Sequence, residues 1–334
     1  MPVYSLSIHA DYGCRHSGAC CRTSWDVPVE VPIYRLLEDA LAEGRLHAAA
    51  PFLNVPPPPE GAAAVLRRDH GGCVFLDRES RLCAVHRELG AGALPSTCRL
   101  FPRIAVADRR GTFITLSHYC PTAASMLFRT DVPLEVVEAP LAFPPGDYEG
   151  LDARTAWPPL LRPGVLMDHE DYDAWERHAV ARCAGQASPD AVVASLARDA
   201  EILRAWTPGG SRSLRETIAA LPREIEPPLS PGPPSDLFSG FETVVNRYLA
   251  AHAFASWCAY QGHGLRTIVR GLETALATLT EEAGRVTGAA GRPLGWPLDD
   301  ALLLDAIRAA DWRLRHVESR EELAREWSRV ETSA

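Results

Sequence analysis

The stretch YGCRHSGACCRTSW, residues 12–25, places three cysteines within eight positions, two of them adjacent. The whole chain of 334 residues has nine. Seven of them, Cys14, Cys20, Cys21, Cys73, Cys83, Cys98 and Cys120, fall in the first 120 residues. Cystine stapling, metal binding and redox chemistry are the uses for thiols crowded in this way. A chain of this length can bury a core without staples. Its start, MPVYSLSIHADYGC, has neither a basic nor an apolar leader region, so a cytoplasmic location is expected, where stable disulfides are rare. Seven is also an odd number. Metal or cluster binding is the expectation.

The rest of the composition is that of a globular protein, with 46% hydrophobic and 23% charged residues. No apolar run approaches the roughly 20 residues of a membrane helix. A net charge of −9, with arginines interleaved among acids, argues against general nucleic-acid binding. Neither nucleic acid nor membrane is an expected partner.

Outward from the cysteines, the first part of the chain reads as short elements. VPIYRLLEDALAEG is a helix closed by Gly44, and PFLNVPPPPEG is a loop. GCVFLD and RLCAVH read as short strands joined by the polar turn RESR. RIAVADRRGTFITLS is a hairpin around DRRG, and CPTAASMLF begins a helix. The last part is helical. SPDAVVASLARDAEILRAW opens with Ser188 as N-cap and Pro189 at the first helical position. SDLFSGFETVVNRYLAAHAFASWCAYQ is one long apolar helix or a pair. GLRTIVRGLETALATL and PLDDALLLDAIRAADWRLRHV have helical periodicity, and SREELAREWSRV opens with a Ser319–Glu322 capping box. PPLSPGPPSD reads as an extended linker, and the glycine-rich TGAAGRPLG as a loop.

The fold class expected is α+β: a small cysteine-rich metal-binding module with short strands, followed by a mostly α-helical bundle. The expected division is a module at 1–130, a connection rich in proline and glycine at 131–165, and a helical domain at 166–334.

The cysteine spacing, C-x5-C-C, then C-x9-C, C-x14-C and C-x21-C, contains no CxxC knuckle, so it is neither a zinc-finger nor a thioredoxin-like pattern. Adjacent Cys20 and Cys21 can serve one site only where the backbone turns, and Gly18 could allow that turn. Seven thiols exceed the four of one zinc or one 4Fe–4S cluster, so either some are not ligands or there are two centres. The all-cysteine supply favours a cluster over zinc, while His86 and His118 lie close enough to cysteines to complete a zinc site. Arg15, Arg22, Arg99 and Arg103 flank the cysteines and would stabilise thiolates or bind an anion. Cys183 and Cys258, alone in helical sequence, read as small buried residues.

These residues resemble a known family. CRHSGACC is similar to the CxxCxxCC opening of the YkgJ-type cysteine-cluster proteins, described as zinc- or iron-chelating, with Ser17 at the place of the second cysteine. GGCVFLDRESRLCAVHRELGAGALPSTCRLFPR and TLSHYCPTAASMLF resemble the rest of that module. VVNRYLAAHAFASW followed by LRTIVRGLETAL resembles the C-terminal region of its longer members, the flagellin lysine N-methylases. The resemblance implies an iron–sulfur centre, a 4Fe–4S cluster first, and S-adenosylmethionine-dependent methylation of lysine on a protein such as flagellin. No glycine-rich methyl-donor loop accompanies it in the sequence. Tyr12, Tyr119, Asp26 and Glu30 are available as bases to deprotonate a lysine. Three functions stay open: a lysine N-methylase-like enzyme, a non-catalytic zinc- or iron-binding structural or interaction module, and a redox or electron-transfer protein.

Overall fold

The structure, a computed structural model, describes residues 1–54, 61–146, 148, 150–222, 224–225, 236–292, 297–317 and 320–328. The chain forms two compact units. One comprises Gly13–Pro102 with Cys120–Thr122, and the other comprises Met1–Tyr12, Arg103–Tyr119 and Ala123–Ala334.

The cysteine-rich unit is made of short pieces. The helix Val31–Ala42 buries Leu37 and Ala40, and Gly44 follows it at φ +73°. Pro28–Glu30, Ala62–Leu66 and Phe52–Leu53 form a three-stranded antiparallel sheet, so the expected loop at 51–61 begins with a strand, and its residues 55–60 lie outside the described residues. Arg68–Asp69 pairs with Gly72–Cys73. The second expected strand, RLCAVH, is a correction: only Cys83 bridges back, to Leu76, and Ala84–Leu89 is helical. Six residues cannot distinguish a period of 2 from one of 3.6, and the helical spacing is what seats Val85 and Leu89 on the core of this unit. That core is small. Its buried members are Val27, Val29, Leu37, Ala40, Leu46, Leu66, Phe75, Val85, Ala93 and Leu94.

The other unit combines a five-stranded sheet with helices. The sheet order is Gly150–Asp152, Arg103–Ala107, Thr112–Leu116, Val3–Leu6, Val136–Glu138. Arg103–Ala107 and Thr112–Leu116 form the expected hairpin. Val3–Leu6 runs parallel to Thr112–Leu116 and antiparallel to Val136–Glu138. This pairing explains why the compact units differ from the expected boundaries 1–130, 131–165 and 166–334. Strand hydrogen bonds carry Val3–Leu6 and the hairpin into the helical unit, and the expected connection supplies two further strands of the same sheet.

The helices follow their local signals. Pro189–Arg204 is capped by the Ser188 side chain, which accepts from the Ala191 N–H. The long apolar stretch is a pair of helices, Glu242–Ala253 and Cys258–Gln261. Leu265–Ala289 packs on Pro189–Arg204, Glu242–Ala253 and Asp300–Trp312, burying Leu272, Leu279 and Leu303. It also takes up the start of the stretch read as a loop at 287–295, of which 293–295 lie outside the described residues, as do 227–235 and Ser319. The observed architecture is thus a strand- and cysteine-bearing N-terminal region followed by a predominantly helical bundle. Among the described residues, no helix is long and apolar enough to cross a membrane.

Inside this unit, Arg110 of the hairpin turn donates to both oxygens of Asp108 and to Oε2 of Glu176 at 3.0 Å. The guanidinium also lies 4.1 Å from the Phe113 ring centroid. Asp108 also accepts a hydrogen bond from the Tyr260 hydroxyl at 2.6 Å.

Candidate metal centre

No disulfide joins any of the nine cysteines. Five of the seven N-terminal thiols are drawn into one electrostatic group. Cys20 and Cys21 sit on the 3-10 turn Cys20–Arg22, Cys73 on a two-residue strand, Cys83 just before the helix Ala84–Leu89, and Cys98 on the helix Ser96–Leu100. Cys21 interacts most strongly with Cys20 and Cys83. These two neighbours drive its pKa up, while their own fall. Cys83 comes down to about 7, first through the Cys21 thiol, with the Val85 and His86 N–H groups helping against burial. Burial pushes Cys73 up to about 11 and Cys98 well above the ordinary thiol value. Cys20, Cys73 and Cys83 repel charge on Cys98, and so does Glu30. Ionisation is thus suppressed at three of the five, Cys21, Cys73 and Cys98, and favoured at Cys20 and Cys83, as happens when thiols gathered at one place titrate together.

The turn that presents Cys20 and Cys21 depends on Gly18. Its φ is +68°, and a Cβ there would lie 2.6 Å from the carbonyl oxygen of Arg81. The backbone in this unit is also left-handed at His16, His70 and Arg81, each within a few residues of a cysteine. We expect Gly18→Ala to weaken metal binding by about tenfold, from the ~1–2 kcal/mol of a left-handed alanine plus the clash. Gly13→Ala, where a Cβ meets nothing within 4 Å, should bind as the parent does. A chelator-competition titration measures both.

The remaining expected site residues are distributed as follows. Cys14 is exposed, and its Sγ accepts from the His16 N–H at 3.4 Å. Cys120 is buried at the start of the helix Pro121–Met126 and belongs to the same unit. Ser17 turns its hydroxyl onto the Ala19 N–H at 3.4 Å, a local turn contact. The His86 ring lies tilted against that of His16, with centroids 4.7 Å apart. His118 belongs to the other unit, where its ring lies by His9 and Asp311. The four bases considered for lysine deprotonation are divided: Asp26 and Glu30 in the cysteine-rich unit, Tyr12 and Tyr119 in the other. Glu30 accepts from the Ser96 N–H at 2.9 Å. Cys183 and Cys258 are buried in the helical unit, and burial pushes Cys183 up to about 12.

A second polar cluster, which no local motif announces, is buried in the helical unit. Asp311 accepts from Ser117 Oγ at 2.7 Å, from the Tyr119 N–H at 3.2 Å and from Arg315 Nε at 2.9 Å. His118 and His252 flank it, and Nε2 of His118 lies 3.2 Å from Nε2 of His9. Burial holds both flanking histidines below the ordinary imidazole value, His252 at about 4. His9 and His118 each lie four residues past the paired Ser5 and Ile114 of two parallel strands, which is why they meet.

Among the described residues, no group of three or more His, Cys, Asp or Glu side chains is arranged to hold a metal ion as it stands. The cysteine group nonetheless has the right chemistry: five soft sulfur donors from four places in the chain, all half-buried, with no disulfide competing for them. Donors of this kind suit a soft metal, zinc or iron.

The comparisons with known proteins place this group in a recognised type of domain. Residues 13–121 match the family described as "CxxCxxCC: Putative zinc- or iron-chelating domain". The chain therefore carries an N-terminal cysteine-cluster domain of that type. It is also similar to the "Flagellar biosynthetic protein FliU" of Salmonella muenchen, 42% identical over 57 residues, which is 17% of this chain. That match spans about a third of the relative's own length (33%). No solved structure matches the chain.

Proposed function

We propose that the cysteine-rich unit is a metal-chelating module whose centre is built from Cys20, Cys21, Cys73, Cys83 and Cys98, with Cys14 and Cys120 as further ligands in reach of the sequence pattern. The observation that carries this reading is that Cys20, Cys21, Cys73, Cys83 and Cys98, brought from separate parts of the chain, lie within electrostatic reach of one another. The first metal is iron in a 4Fe–4S cluster and the alternative is zinc, since both take four thiolates. The centre's first role is structural. The apolar core of this unit is small, and a bound metal adds folding energy to such a unit directly. Thiols in this state suit a reducing compartment, and we place the protein in the cytoplasm.

The test is protein purified without oxygen, assayed for iron, sulfide and zinc, with a visible spectrum. About four irons and four sulfides per chain are expected for a cubane. One zinc and no colour would support the zinc form, and neither metal would sink the module assignment. A second reading, S-adenosylmethionine-dependent lysine N-methylation of a protein such as flagellin, is favoured by the flagellar relative. Incubation with flagellin and S-adenosylmethionine, followed by mass spectrometry of lysine residues, decides it.

A further inference from the structure

Two buried imidazole nitrogens in the helical unit are aimed at one carboxylate oxygen. Nδ1 of His118 lies 3.7 Å from Oδ1 of Asp311, and Nε2 of His252 lies 3.6 Å from the same oxygen. Both distances are too long for hydrogen bonds. Neither nitrogen has a hydrogen-bond partner among the described residues, and His118 and Asp311 are fully buried. An unpaired buried polar atom costs about 1–3 kcal/mol, so two of them facing one anion call for a shared partner. Ligands held at about 2.0–2.1 Å by one tetrahedral ion stand roughly 3.4 Å from each other. The observed spans exceed that by roughly a few tenths of an ångström, which small side-chain rotations close.

We propose that His118, His252 and Asp311 form a second metal site, two imidazoles and one carboxylate, for a divalent transition metal such as zinc or ferrous iron.

The surroundings are those of a ligand shell. Metal-bound histidines usually make a hydrogen bond through their other nitrogen, and Nε2 of His118 has that contact with Nε2 of His9. The second oxygen of Asp311 is fixed by Ser117 and the Tyr119 N–H. Arg315 occupies one lone pair of Oδ1 and leaves another for an ion. Its positive charge beside the site disfavours hard cations, which depend on several carboxylates, and leaves ions that bind imidazole strongly. A cavity of about 40 Å³, lined by His252 and Arg315 together with Ser256, Trp257 and Trp327, adjoins the site. That is room for a water or another small ligand at an open coordination position.

The experiment is a cobalt(II) titration of the full-length protein, read as a difference spectrum after its cysteine-bound metal has been quantified. Cobalt on thiolates absorbs strongly in the near-ultraviolet through charge transfer, whereas cobalt on imidazole and carboxylate shows only weak visible bands. The wild type is expected to take one further equivalent of the second kind. His252→Gln and His118→Gln should lose that equivalent by at least tenfold in affinity and keep any thiolate bands. Unchanged binding in both variants, or no further equivalent in the wild type, overturns the proposal and leaves a bridging water only. Should the variants fail to fold, X-ray absorption on the cobalt-loaded wild type decides, with a nitrogen and oxygen shell expected and a sulfur-only shell overturning the proposal. Failure of the cysteine centre would show in the thiolate bands alone, so the two results are separable.

Discussion

Cys83→Ser should strip the cysteine-rich unit of its metal. Metal content per chain is expected to fall to roughly a tenth or less, because a serine oxygen is a poor ligand for a soft ion and is not ionised at neutral pH. Cys83 is the most exposed to this change. The Cys21 thiol and two backbone N–H groups lower its pKa to about 7, so it is the thiol of the group most ready to offer a thiolate. Structural zinc contributes about 10–16 kcal/mol in small peptides, so its loss should also make residues 13–102 sensitive to protease. Cys21→Ser and Cys98→Ser should behave alike. Cys183→Ser and Cys258→Ser should keep full metal, since both cysteines are buried among the helices of the other unit. Metal analysis of the five variants is the check. A fully loaded Cys83→Ser protein would remove the site assignment.

Arg110→Ala should destabilise the helical unit by about 3–5 kcal/mol, the usual cost of leaving buried charge uncompensated. At about 2–4 °C per kcal/mol for a unit of this size, the midpoint should drop by roughly 10 °C. The reason is that one guanidinium serves two buried carboxylates, Asp108 and Glu176. The pH dependence fixes the mechanism. Burial raises Glu176 above the ordinary value, so in the parent its ionisation already opposes folding as pH rises through that value. Burial also works against Asp108, but Arg110 overcomes it and holds Asp108 below the usual range, so that interaction stabilises the fold above the unfolded pKa and is lost as pH falls. Without Arg110 both carboxylates prefer the proton. The deficit should be greatest at neutral pH and should narrow in mild acid, as read by denaturant melts at the two conditions. A deficit independent of pH would mean that lost packing on Phe113, rather than charge, is responsible.

Local signals explain what was legible. Ser188 and Pro189 announce a helix because a cap satisfies its own neighbours' N–H groups, and the hairpin around DRRG follows from alternation on both sides of a turn. The two-residue strands and the Ala84–Leu89 helix were not legible, because elements that short carry no distinguishable period. The makeup of the two compact units is not legible for a related reason. Pairing of Val3–Leu6 with Thr112–Leu116 is a long-range event, and chain order says nothing of it.

By itself, the sequence determined that this protein has a cysteine-rich N-terminal region with the chemistry of a metal-chelating domain, helices after it, and two further cysteines in the helical part. Residue type and crowding are enough for that, since thiolate chemistry travels with the residue. Only the tertiary structure decided which thiols act on one another, and that His118 and His252 both face Asp311. Those relations join residues far apart in the chain, and they are set by strand register and helix packing, which leave no local trace in the order of amino acids.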